Sequence, residues 1–226
     1  MQQQQAEAPL PNKTDASSSL ATSAVVAAGA AMLASSLQAQ TTTVTDVTLL
    51  NYALLLEQLE ANFYTQGLRR FSSSDFNNGS FSQNLGNTSD FYGDSITGDV
   101  YGNLLLIRNH EQTHVRTLER TIRSLGGTPR TNCNGFSFTY NTVDEFLAVG
   151  KLLEDTGVSA YAGALNMLRD PQLVTTAATI ATVEGRHAAY LRLITGDSPF
   201  PAAFDPTKTM QEILSAAAPF LGSCTV

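Results

Sequence analysis

Two short motifs of the same spacing constrain this chain more than any other feature of its sequence. A glutamate is followed three residues later by a histidine at Glu111 and His114, and again at Glu184 and His187. Both pairs lie in stretches with helical periodicity, where residues three apart share one helix face with Cβ atoms about 5–6 Å apart. The chain has only three histidines and nine glutamates, so two such pairs exceed what chance would give. Each pair can supply two ligands to one metal ion.

The composition favours one acidic domain and argues against nucleic-acid binding. With 226 residues, of which 42% are hydrophobic, the chain can bury one sizeable core. A formal net charge of −7 and an isoelectric point near 4.8 do not suit a nucleic-acid partner, which requires a basic surface. We place the domain at residues 44–226.

The first forty residues differ in composition from the rest of the chain. Residues 1–19 are rich in Gln, Pro and Ser, and residues 21–34 form an apolar run of small residues. Leu37-Gln-Ala39 offers a small residue where signal peptidase would cut. We therefore expect residues 1–40 to be a secretory leader, with a disordered tail as the alternative. The apolar run is too short and too weakly apolar to span a membrane.

Hydrophobic periodicity and capping signals predict four long helices. Thr142 and Glu145 form a capping box before the third, and Asp170-Pro171 supplies the N-cap and first residue of the fourth. The long connection between the second and third helices predicts a crossover bundle in which these two helices are parallel. In chain order, the predicted helices span residues 45–71, 99–125, 142–169 and 170–194.

The remaining segments carry weaker signals. Residues 72–97 are predicted to be a long loop that packs on the domain through its aromatic side chains. Residues 136–140 can form a short strand, and a last short helix is capped by Thr209 and expected to end at Pro219. Sequons for N-glycosylation, which matter only in a secreted protein, begin at Asn12, Asn78 and Asn87.

A dimetal site in a four-helix bundle needs an inward Glu from each of the two helices that lack the Glu-x-x-His pair. The first and third helices both contain Leu-Leu-Glu with a tyrosine seven residues after the Glu, which indicates Glu57 and Glu154. Two divalent cations would offset the cost of burying four carboxylates. The predicted metal ligands are Glu57, Glu111, His114, Glu154, Glu184 and His187.

Three kinds of residue near these motifs are harder to assign. Glu60 lies one turn after Glu57 on nearly the same face, so the sequence leaves open whether it replaces or joins Glu57. His110 is about 100° around the helix from Glu111 and is predicted to be a surface or loop-contacting histidine. The residues predicted to be core aromatics rather than redox groups are Tyr64, Tyr161 and Tyr190.

Several of these motifs, together with the C-terminal sequence, resemble a known family. They are His110-Glu111-Gln-Thr-His114-Val-Arg with Gly126-Gly127-Thr-Pro129, Glu154-Asp-Thr-Gly157-Val-Ser-Ala-Tyr161, Ala181-Thr-Val-Glu184-Gly-Arg-His187, and Ala217-Ala-Pro219-Phe220-Leu-Gly-Ser-Cys224. From about Val44 onward the chain is similar to the secreted ferritin-like domain proteins of fungi, which belong with the plant desiccation-related proteins. The resemblance implies a ferritin-like four-helix bundle, secretion and an association with stress, without a defined reaction. Plant relatives depart from the full ligand set, whereas all six positions are present here.

The donor set predicts two divalent metal ions, with Fe or Mn favoured and Zn also compatible. Glu111 and Glu184 are expected to bridge the ions, which requires their carboxylates to lie close together. Three functions fit: an oxidoreductase that uses peroxide or dioxygen, a metal-binding or iron-handling protein without turnover, and a secreted structural or protective protein with an idle site. The expected partners are therefore metal ions and a small oxidant, with no nucleic acid.

The two cysteines give one further expectation. Their spacing matches no zinc or redox motif. In a secreted protein, Cys133 and Cys224 should form a disulfide that attaches the C-terminal segment to the bundle. Two free buried thiols are the alternative.

Overall fold

The computed structural model describes residues 44–77 and 99–224 of the chain. All regular structure in these ranges is helical. The predicted leader, the sequons at Asn12, Asn78 and Asn87, and most of the predicted loop lie outside the described residues. The α-helices are α1 (Asp46–Arg70), α2 (Ser73–Asn77), α3 (Val100–Ser124), α4 (Val143–Ala164), α5 (Pro171–Ile194) and α6 (Met210–Leu221), with a 3₁₀ turn at Leu165–Met167.

The four long helices begin where the sequence predicts, and each has a side chain that caps its N-terminus. The side chains of Thr45, Asp99, Thr142 and Asp170 each accept a hydrogen bond from a backbone N–H in the first turn. The third of the four predicted helices, which is α4, is shorter than predicted, because it ends at Ala164 and not near residue 169. Asp170 is extended as the residue before a proline, so the chain must leave the helix before it reaches this N-cap.

Contacts between the long helices confirm the crossover topology. The pairs that run in opposite directions are Leu68 with Tyr101 and Glu57 with His114 between α1 and α3, and Tyr64 with Glu154 and Glu57 with Tyr161 between α1 and α4. Because α3 and α4 are both antiparallel to α1, they are parallel to each other. α5 returns beside α4, where Arg192 donates two hydrogen bonds to Asp155.

Apolar side chains flank the middle of the bundle on both sides. On α3, buried Leu104 and Ile107 precede the Glu-x-x-His pair, and buried Leu118 and Ile122 follow it. The buried side chains of α5 are arranged in the same way around its own pair, with Leu173, Ala177 and Ile180 before it and Leu191 and Ile194 after it. The two motifs therefore lie in a polar layer between two apolar clusters.

The start of the predicted loop contains the short helix α2, which was not predicted. Its first turn is closed by Asp75, whose carboxylate accepts hydrogen bonds from the backbone N–H and the hydroxyl of Ser72. Phe76 is only 2% exposed and makes edge contacts with Tyr101 and Phe146. This segment packs on the domain as expected.

The C-terminal segment is attached to the connection between α3 and α4. Cys133 and Cys224 form the expected disulfide, with their Cα atoms 5.7 Å apart. The prediction that Pro219 ends α6 is wrong, because the helix continues to Leu221. A proline here removes one backbone hydrogen bond near the helix end, and tertiary contacts hold the following residues. Among these, the N–H of Ser137 donates to the carbonyl of Phe220.

Residues 136–140 are not a strand, and none is present in the described ranges. Phe136 and Tyr140 in this segment are buried against the bundle. Within the same ranges, every helix is too short or too polar to cross a membrane.

Candidate metal centre

All six predicted ligands meet in the polar layer between α1, α3, α4 and α5. Their side chains form two groups, and within each group one donor atom per residue lies within 4.8 Å of the others. Glu111 and Glu184 belong to both groups, so their carboxylates meet the proximity that bridging requires. The first group is Glu57, Glu111, His114 and Glu184, and the second is Glu111, Glu154, Glu184 and His187.

Four helices place these residues with two different arrangements. α3 and α5 each contribute a Glu and a His that are three residues apart and therefore share one helix face. α1 and α4 contribute one glutamate each, Glu57 and Glu154. Both side chains are buried and point toward the Glu-x-x-His pairs of α3 and α5. All four glutamates are at most 1% exposed, although neighbouring core positions are apolar.

The first group surrounds the Nδ1 atom of His114 with three carboxylates. This nitrogen is 3.1 Å from Glu57, 3.2 Å from Glu111 and 3.1 Å from Glu184. One ring N–H cannot make three good hydrogen bonds at once. The geometry is that of several donors around a common centre, which is how ligands of a metal ion are arranged.

The second group has the same arrangement around Nδ1 of His187. This nitrogen is 3.0 Å from Glu111, 3.3 Å from Glu154 and 3.7 Å from Glu184. Although the distance to Glu111 is short, Nδ1 makes no hydrogen bond with the residues that the structure describes. We therefore regard these contacts as proximity of donors and not as satisfied hydrogen bonds.

Several donor atoms of the cluster are buried and have no hydrogen-bond partner among residues 44–77 and 99–224. They are Oε1 of Glu111, Oε2 of Glu154, both carboxylate oxygens of Glu184 and Nδ1 of His187. A buried polar atom without a partner costs about 1–3 kcal/mol, and more when it carries a charge. Five such atoms facing one another are the donor set that a pair of cations would satisfy, so the residues fit a dimetal centre.

Three members of the cluster have pKa values that differ strongly from those of free side chains. Burial raises the pKa of Glu154 to about 7, although His187 opposes the shift. Burial favours the neutral form of Glu184 too, but contacts with His114 and His187 outweigh it and lower its pKa to about 2. Burial opposes protonation of His114, yet the carboxylates around it raise its pKa to about 12. In the metal-free protein, protons on the imidazoles therefore supply the positive charge that metal ions would otherwise bring.

Two tyrosines hold Glu57 and Glu154 in a crossed arrangement. The hydroxyl of Tyr64 on α1 donates to Oε1 of Glu154 on α4, and the hydroxyl of Tyr161 on α4 donates to Oε1 of Glu57 on α1. Both tyrosines are buried, as predicted for core aromatics, but they also orient carboxylates of the cluster. The repeated Leu-Leu-Glu and Tyr pattern was the sequence signal for this role. Tyr190 lies outside the cluster and accepts a hydrogen bond from Asn103.

Glu60 lies in the same layer but does not take the place of Glu57. Glu57 contacts His114, whereas Glu60 approaches Gly157 on α4. A Cβ atom at Gly157 would be 3.1 Å from Oε1 of Glu60 and 3.6 Å from Oε2 of Glu184. Burial, and then the charge of Glu184, raise the pKa of Glu60 well above its ordinary value. Glu60 is thus a fifth buried carboxylate beside the six predicted ligands.

His110 is exposed as predicted, but it also contacts a residue of the cluster. Its Nδ1 atom lies 3.0 Å from Nε2 of His187, which the sequence interpretation missed. The prediction compared His110 with Glu111, from which it is turned away on the helix. His110 instead shares a helix face with His114, because residues four apart lie on the same side of a helix.

The family comparison agrees with this architecture. The sequence model of the ferritin-like domain family matches residues 45–197. This span contains α1, α3, α4 and α5 and all six clustered residues, and it ends before α6. A search of curated proteins gave no match to the chain.

Proposed function

The chain belongs to the ferritin-like domain family, and from this premise we propose that it binds two metal ions in a carboxylate-bridged centre. The observation that supports this most is that the two donor groups share Glu111 and Glu184. A carboxylate that belongs to two donor groups can hold two ions side by side. The remaining donors would complete the two positions as pairs, His114 with Glu57 and His187 with Glu154.

The chemistry of the donors supports Fe or Mn as the metal, and Zn is also compatible. Carboxylate oxygens and one imidazole nitrogen per ion suit these metals, and the described cluster contains no thiolate. Two divalent cations would balance four ionised carboxylates with two neutral imidazoles. This balance would remove the cost of the unpaired buried oxygens.

We further propose that the loaded centre reacts with peroxide or dioxygen. Fe or Mn ions held by these residues would supply the redox chemistry toward a small oxidant. The chain contributes an environment for that chemistry, because apolar side chains of α3 and α5 on both sides of the polar layer exclude water. Tyr64 and Tyr161 keep Glu154 and Glu57 in fixed orientations, so these ligands need not reorganise.

The proposed location is extracellular, with protection against oxidants as the use. The composition of residues 1–40 supports a secretory leader, and the disulfide between Cys133 and Cys224 suits an oxidising compartment. The resemblance to secreted stress-associated proteins points in the same direction. Expression in the native host, followed by recovery of the protein from the medium or the cells, tests the location.

Metal analysis of purified protein tests the centre itself. We expect two ions per chain in the wild type and none in a Glu111→Gln, Glu184→Gln double variant. Glu119→Gln is the matched control, because Glu119 is also on α3 but pairs with Arg123 outside the cluster. A wild type that binds metal no better than the double variant would refute the proposal.

Oxygen evolution from peroxide and dioxygen consumption test turnover, with Fe-loaded and Mn-loaded protein compared separately. We expect activity in at least one metal form, retained by Glu119→Gln and absent from the double variant. Wild-type protein that binds two ions but matches the double variant in both assays is a metal-binding protein without turnover. That outcome would contradict the proposed reaction and leave the proposed centre standing.

A further inference from the structure

The imidazole rings of His110 on α3 and His187 on α5 lie side by side. Their planes are 13° apart, and Nδ1 of His110 is 3.0 Å from Nε2 of His187. This is a hydrogen-bond distance. His187 is buried and His110 is exposed, so His110 contacts the cluster from its solvent side.

The direction of this hydrogen bond follows from the other nitrogen of His187. Nδ1 of His187 faces the carboxylates, 3.0 Å from Glu111 and 3.3 Å from Glu154. A metal ion is bound through a nitrogen lone pair, so a neutral His187 that binds through Nδ1 carries its proton on Nε2. With an ion bound at Nδ1, Nε2 of His187 would therefore donate this hydrogen bond, and Nδ1 of His110 would accept it.

The two histidines of α3 face different donor groups. His110 precedes His114 by four residues, so both project from one face of the helix. His114 belongs to the first donor group, while His110 contacts the outer nitrogen of His187 in the second.

The two histidines of the cluster are not supported in the same way. In residues 44–77 and 99–224, the polar contacts of His114 all involve Nδ1. His187 has polar contacts through both ring nitrogens, because Nε2 is also within hydrogen-bond distance of Nδ1 of His110. Within the described part of the chain, the second donor group is thus the one whose histidine has a further side chain at its outer nitrogen.

We propose that His110 is a positioning residue for the metal centre. Its Nδ1 atom accepts a hydrogen bond from Nε2–H of His187 and so directs Nδ1 of His187 at the ion. The two ion positions are then inequivalent, and the one that includes His187 binds more tightly. This inference rests on the proposed function, since it assigns a role toward the proposed ions. Partners of this kind change metal affinity by about 10–100-fold.

A matched pair of variants isolates the acceptor from the shape of the side chain. In His110→Asn, the amide oxygen is bonded to Cγ as Nδ1 is in histidine, so the acceptor is kept at nearly the same place. His110→Leu has almost the same shape as the Asn variant but has no acceptor. Equal melting temperatures of the two metal-free variants would show that the fold is unaffected.

Co²⁺ titration followed by visible absorption measures the two binding steps separately. We expect two steps in the wild type, with the tighter step weakened about 10-fold or more in His110→Leu and the other unchanged. His110→Asn should restore the tighter step. Equal affinities of the Leu and Asn variants for both ions would overturn the proposal, because the acceptor would then have no effect.

A readout without metal separates this inference from the proposed function. In ¹⁵N-labelled metal-free protein, we expect an imidazole N–H signal from Nε2 of His187 with coupling across the hydrogen bond to Nδ1 of His110. His110→Leu should abolish the coupling. A wild type that binds no Co²⁺ would refute the proposed function, and the coupling would then show whether the orienting contact exists. Absence of the coupling in the wild type would overturn the inference whatever the metal content.

Discussion

The hydroxyl of Tyr161 donates a hydrogen bond to Oε1 of Glu57, 2.5 Å away on another helix, and both side chains are buried. The reciprocal pair, Tyr64 with Glu154, joins the same two helices in the opposite sense. Glu57 is thus oriented by the tyrosine that lies seven residues after Glu154, and Glu154 by the tyrosine that lies seven residues after Glu57. This arrangement gives the centre an approximate two-fold symmetry, which the contact of His110 with His187 breaks.

Tyr161→Phe should weaken metal binding at the position that includes Glu57. The variant keeps the ring but removes the hydroxyl, so Oε1 of Glu57 loses its orienting partner. We expect a loss of about 10-fold in affinity for one of two Co²⁺ ions, measured by titration. Unchanged affinity for both ions would show that packing alone holds Glu57 in place.

Tyr52→Phe is the contrasting variant on α1. The hydroxyl of Tyr52 is buried and has no hydrogen-bond partner in the described part of the chain. Its removal should leave metal binding unchanged and should not lower the free energy of unfolding, with a gain of up to about 1 kcal/mol. Urea denaturation of metal-free protein measures this. A loss above about 1 kcal/mol would indicate that this hydroxyl has a partner, such as a buried water.

The sequence could predict the long helices and the members of the buried carboxylate–histidine cluster because both depend on local signals. Caps such as Thr142 and Asp170 act within one helical turn, so they locate helix starts without knowledge of the tertiary fold. The Glu-x-x-His spacing likewise fixes two donors on one face. The internal repeat then indicated Glu57 and Glu154, and the structure places both in the cluster.

The features that the sequence could not predict depend on contacts between distant segments. The repeat showed that two helices are alike, but not that they are antiparallel, so the crossed hydrogen bond of Tyr64 to Glu154 was not foreseen. His110 was missed because its partner is on another helix. α6 passes through Pro219 because backbone contacts and the disulfide hold the segment that follows.

Glu60→Gln tests whether the fifth carboxylate is a ligand. Glu60 contacts none of the cluster histidines, and Gly157 provides the space for its side chain. We expect the variant to bind two ions, as the wild type does, because neither donor group includes Glu60. Metal analysis after dialysis measures the stoichiometry, with Glu57→Gln as the comparison that should lose affinity. A loss of one ion in Glu60→Gln would make Glu60 a ligand.

The stability of the protein should depend on pH in opposite directions with and without metal. In the metal-free protein, burial raises the pKa of Glu154 from 4.5 to about 7 and raises those of Glu111 and Glu60 as well. A raised pKa contributes stability that is present below the unfolded value and lost as pH rises through the folded value. The raised pKa of His114 acts in the same direction. The lowered pKa of Glu184, about 2, instead removes stability as pH falls below 4.5.

The free energy of unfolding of the metal-free protein should therefore be highest near pH 4.5–5 and fall between pH 5 and pH 8, with a contribution from Glu154 on the order of 3 kcal/mol. Metal ions compete with protons for the same atoms, so metal binding releases protons and strengthens as pH rises. The metal-loaded protein should consequently gain stability over the interval in which the metal-free protein loses it. Urea denaturation at pH 5, 6, 7 and 8, with chelator or with Mn²⁺, measures both slopes. Parallel slopes in the two series would contradict metal binding by these carboxylates and imidazoles, because occupied ligands cannot take up protons as free ones do.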